Sequence, residues 1–159
     1  MFCLSAKADM ASLDVDLVID ATAFDSGRRD HLGCSLRAFQ QIFSSQQDAL
    51  KACLLQAKYG MMAAAARGLH NYRIMLFDKG GRAGSLAVLQ ILMHLLLKAG
   101  HEVESSHLCK WWWNFVQCQE YVDLVRKNIG NDDYQCEKCW PERRHPEILE
   151  AAEHLIEFR

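Results

Sequence analysis

The residues with the greatest chemical capacity lie in the last third of the chain. Cys136 and Cys139 are separated by Glu137 and Lys138, the spacing at which one tight turn aims two thiolates at a single Zn²⁺. His107 and Cys109 stand upstream of them, and a tetrahedral site of His107, Cys109, Cys136 and Cys139 would clip together the two ends of the segment between. Cys118, His101 and His145 are further donors, although Cys118 falls on an apolar stripe and reads as a core residue. Without a metal, Cys136 and Cys139 read as ordinary buried or solvated thiols. Redox use would want the pair at a helix start inside a βαβ unit, whereas Trp140-Pro141 follows it here. Between the ligand pairs, Lys110 is followed by Trp111, Trp112 and Trp113. Consecutive indoles at a helix start point to nearly every angle around the axis, so they cannot all face one core. Trp111 and Trp112 packed under the Cys-x-x-Cys turn are one reading, and indoles presented outward are the other. Outward indoles suit a protein partner, where tryptophan is a frequent anchor. Beside Lys110, Arg126 and Lys127 they suit stacking on nucleic-acid bases as the second choice.

A second feature is the glycine-rich turn at residues 80–84, Gly80-Gly81-Arg82-Ala83-Gly84, between an apolar run at Tyr72 to Phe77 and an apolar helix from Ser85 to Lys98. Backbone N–H groups at such a helix start can hold a phosphate, with Lys79 and Arg82 supplying charge. The turn matches neither Gly-x-Gly-x-x-Gly nor the P-loop, since no Gly-Lys-Ser/Thr closes it. Its passage into Gly100-His101-Glu102-Val103 resembles the strand-loop-helix-strand entry of nucleotide-sugar transferases over about a fifth of the chain, which implies phosphate or nucleotide handling. The segment Asp20-Ala21-Thr22-Ala23-Phe24-Asp25-Ser26 resembles the first motif of haloacid-dehalogenase phosphatases, but Val18 stands where the nucleophilic Asp belongs and Ala21 replaces Gly. Asp14, Asp16 and Asp20 on one strand face read as a solvated face before they read as a divalent-cation site. No nucleophile elbow, no His-Glu-x-x-His and no carboxylate pair at an informative spacing is present. No family and no catalytic residue is therefore assigned. The expectation is a small regulatory or adaptor protein acting by binding, with a phosphate- or nucleotide-handling α/β enzyme built on residues 80–84 as the alternative.

These groups need elements to position them. Asp14 to Asp20 alternates so that Val15, Leu17 and Ile19 share one face, which predicts a strand with a core side. Leu36, Phe39, Ile42 and Phe43 fall at helical spacing, Ser44-Ser45 breaks the pattern, and Ala49 to Ala66 resumes it toward Gly68. Tyr72 to Phe77 predicts a second strand, and His101 to Ser106 a short third. The helix from Ser85 to Lys98 carries one narrow polar stripe of Gln90, His94 and Lys98 and is closed by Gly100. Trp111, Phe115, Cys118, Val122, Val125 and Ile129 predict a further helix, and His145-Pro146 opens a last one whose apolar side holds Ile148, Leu149, Ala152, Leu155 and Ile156. The sum is a helix-rich α+β fold of about five helices and two or three short strands, with a C-terminal third stapled by zinc.

Composition bounds the rest. The 159 residues suit one domain, with a soft sub-boundary near residue 100 and a Trp-, Cys- and Glu-rich part over 101–159. All nine Glu lie at or after Glu102, and all four Trp after Lys110. A net charge of −2 lacks the basic excess of a dedicated nucleic-acid binder. The longest apolar run, 86–97, is about 12 residues where a membrane span needs about 20, so it reads as a buried helix or an oligomer contact. Met1 to Leu13 holds Lys7 and Asp9 and lacks the continuous apolar stretch of a secretory signal. Seven cysteines at irregular spacing then predict reduced thiols in the cytoplasm or nucleus.

Overall fold

The structure is a computed structural model, and it describes residues 2–5, 14–24, 36–78, 84–107 and 145–158. Strands β1 (Phe2–Ser5), β2 (Leu17–Asp20), β3 (Ile74–Asp78) and β4 (Ser106–His107) form one sheet in the order β2-β3-β1-β4. All three pairings are parallel, with Leu17 opposite Ile74, Phe2 opposite Met75, and Phe2 opposite Ser106. Helices α1 (Leu36–Ser45) and α2 (Gln47–Ala66) connect β2 to β3, and α3 (Gly84–Lys98) lies between β3 and β4. The last helix, α4 (Pro146–Ala152), packs on α3.

Burial explains why β3 lies inside the sheet. Ile74 and Leu76 share one face and join the core built by the helices, while Met75 on the opposite face is equally inaccessible to solvent. A strand covered on both faces reads as a continuous apolar run, as Ile74-Met75-Leu76-Phe77 does. β2 alternates as its sequence requires: Ile19 is fully buried, Leu17 packs against the core, and Val18 and Asp20 are exposed. β1 has no counterpart among the sequence expectations, because Phe2-Cys3-Leu4-Ser5 is too short to display a period.

The expected helix break falls where the serines stand. Ser44 and Ser45 turn their hydroxyls back to the Gln41 carbonyl, which accepts from both, and α1 gives way to α2 at Gln46. The Gln46 side-chain amide donates to the Ala23 carbonyl at 3.2 Å, fixing this corner to the segment after β2. Beyond α2, Gly68 takes φ +76°, and beyond α3, Gly100 takes φ +87°, the left-handed stops that glycine supplies.

α3 is the centre of the core. Leu86, Ala87, Val88, Leu89, Ile91 and Leu92 are buried, so the apolar run 86–97 expected as a buried helix is one, and Leu97 is its one large exposed apolar residue. The mixed, helix-rich character expected from the sequence holds, with four helices among the described residues. The expected helix from Trp111 to Ile129 lies outside them. No helix among the described residues is long and apolar enough to cross a membrane.

Candidate functional site at the carboxyl end of the sheet

In an open parallel sheet, ligands bind beyond the carboxyl ends of the strands, where following helices point their free N–H groups. Here that edge carries Asp20 at the end of β2 and Asp78 at the end of β3, on neighbouring strands with Asp20 opposite Phe77. The Ala21 N–H continues the ladder, donating to the Phe77 carbonyl at 2.7 Å. Asp20 is exposed, and its carboxylate accepts the Thr22 N–H at 2.8 Å, the local turn that short acidic side chains form.

Asp78 behaves differently. It is buried, and its Oδ2 accepts the N–H of Ser85 at 3.0 Å, in the first turn of α3. Ser85 is itself fully buried. The first N–H groups of a helix have no partner within the helix, and the N-terminal dipole favours negative charge there. An internal carboxylate thus sits where a bound phosphate would be expected.

The start of α3 is also held close to the chain. A Cβ on Gly84 would stand 2.3 Å from the Phe24 carbonyl oxygen and 2.8 Å from the Phe24 Cβ. Only glycine lets the helix approach the segment after β2 this closely. Cys53 of α2 lies beneath, its Sγ 3.9 Å from the Asp20 carbonyl oxygen. Burial, then the Asp20 charge, pushes its thiol up to about 11, so it is a packed thiol and not a nucleophile at neutral pH.

A second polar cluster joins α3 to the C-terminal turn. His94 Nε2 lies 2.8 Å from Glu153 Oε1, and Lys98 donates to the other oxygen of the same carboxylate. The bond from Lys98, then that from His94, holds the Glu153 carboxyl below its ordinary range. These side chains, with Leu97, Glu150 and His154, line an open depression of about 590 Å³. The polar stripe of α3 thus has a structural use: His94 and Lys98 anchor the turn after α4, while Gln90 is buried.

The expected site residues fall unevenly on the structure. The backbone of His107 ends β4, opposite Cys3 of β1. Cys109, Cys136 and Cys139, the further donor Cys118, and Trp111, Trp112 and Trp113 lie outside the described residues. Among the described residues no group of three or more His, Cys, Asp or Glu could hold a metal ion. Of the glycine turn, only Gly84 is described. Asp14 and Asp16 are occupied by Arg73: Asp16 Oδ2 accepts its backbone N–H at 2.6 Å, and Asp14 pairs with its guanidinium. The two carboxylates therefore serve to join the approach to β2 to the approach to β3. Sequence reasoning passed over Asp78, whose only signal was an acidic residue closing an apolar strand just before a glycine-rich turn. No family model, curated protein or solved structure matches the chain.

Proposed function

We propose that this chain works by binding a protein partner, through a C-terminal part in which His107, Cys109, Cys136 and Cys139 hold Zn²⁺ and Trp111, Trp112 and Trp113 meet the partner. Nucleic-acid bases are the second choice of partner for those indoles. Thiolate ligands of this kind suit the reducing interior of a cell, cytoplasm or nucleus.

One observation favours binding over phosphate chemistry: the Asp78 carboxylate on the Ser85 N–H. A phosphate brought to the start of α3 would meet that carboxylate. At about 4 Å and an effective dielectric near 20, each pair of like unit charges costs about 4 kcal/mol. The dipole of the helix returns only about 0.3–1 kcal/mol, or about 2 in a partly buried setting. On these magnitudes a phosphate at the Ser85 N–H is disfavoured, which supports the binding reading over the phosphate-handling one.

Thermal unfolding with inorganic phosphate, nucleoside triphosphates and a nucleotide-sugar tests this choice. No shift is expected from any of them. A ligand at a hundred times its Kd adds about 2.7 kcal/mol of stability, so a shift of several degrees would reinstate the phosphate-handling enzyme.

A further inference from the structure

We draw no further inference here: the strongest candidate, the open depression between α3 and the turn after α4 lined by His94, Leu97, Lys98, Glu150, Glu153 and His154, belongs to the polar cluster already described, in which His94 and Lys98 are spent on anchoring the Glu153 carboxylate and nothing among the described residues points to a ligand.

Discussion

Replacing Asp78 probes the start of α3 directly. In Asp78→Ala the Ser85 N–H loses a charged acceptor at 3.0 Å in a buried setting. A hydrogen bond to a charged group contributes about 1.5–3 kcal/mol, and a negative charge at a helix N-terminus about 0.3–1 more. The variant should therefore unfold about 2–4 kcal/mol more easily. Asp78→Asn keeps an acceptor of the same shape without the charge, so its cost should be about half as large or less. Urea denaturation, with the midpoint shift converted through the common slope, reads both. Phosphate adds a second readout: removing the carboxylate frees the Ser85 N–H, so phosphate should stabilise Asp78→Ala and leave the parent protein unchanged. At ten times its Kd the gain would be about 1.4 kcal/mol. An Asp78→Ala variant within about 0.5 kcal/mol of the parent, or a parent stabilised by phosphate as much as the variant, refutes this view of the site.

Other perturbations follow from the same geometry. Gly84→Ala should destabilise by about 1–3 kcal/mol in thermal unfolding, because its Cβ meets the backbone of Phe24; a gain of the size that alanine's helix propensity alone would give contradicts the contact. Lys98, then His94, depresses the Glu153 carboxyl in the folded state, so the resulting stability is present above the ordinary glutamate value of about 4.3 and is lost as pH falls through the lowered folded value. Glu153→Gln should flatten the loss of stability below about pH 4.3, and an unchanged acid limb would show that the pairing contributes nothing. With its thiol at about 11, Cys53 should be among the last cysteines alkylated by iodoacetamide in the native protein at about pH 8 and should react readily once unfolded, as peptide mass mapping would show; rapid native labelling contradicts its burial.

Much of the framework was legible because it rests on periods that repeat. The alternation of Leu17, Val18 and Ile19 gave the core side of β2, and Ser44-Ser45, Gly68 and Gly100 marked the helix ends correctly within a residue or two. α3 was legible as buried from its narrow polar stripe. β1 was not, since four residues are too few to carry a period and its position is set by pairing with Met75 to Asp78 far along the chain. The parallel pairing was equally invisible, being a property of three-dimensional connection and not of any window of sequence. The role of Asp78 depends on a contact across seven positions, and an isolated Asp at the end of a strand looks the same whether it caps a helix or faces water.

The positive half of the proposed function rests on the metal. Zinc measured on the purified full chain, alongside the variant Cys136→Ser with Cys139→Ser, tests it most directly. About one equivalent per chain, absent from the variant and released with loss of stability in chelator, is expected. Less than about a tenth of an equivalent, with stability unchanged by chelator, would contradict a zinc-held partner-binding region.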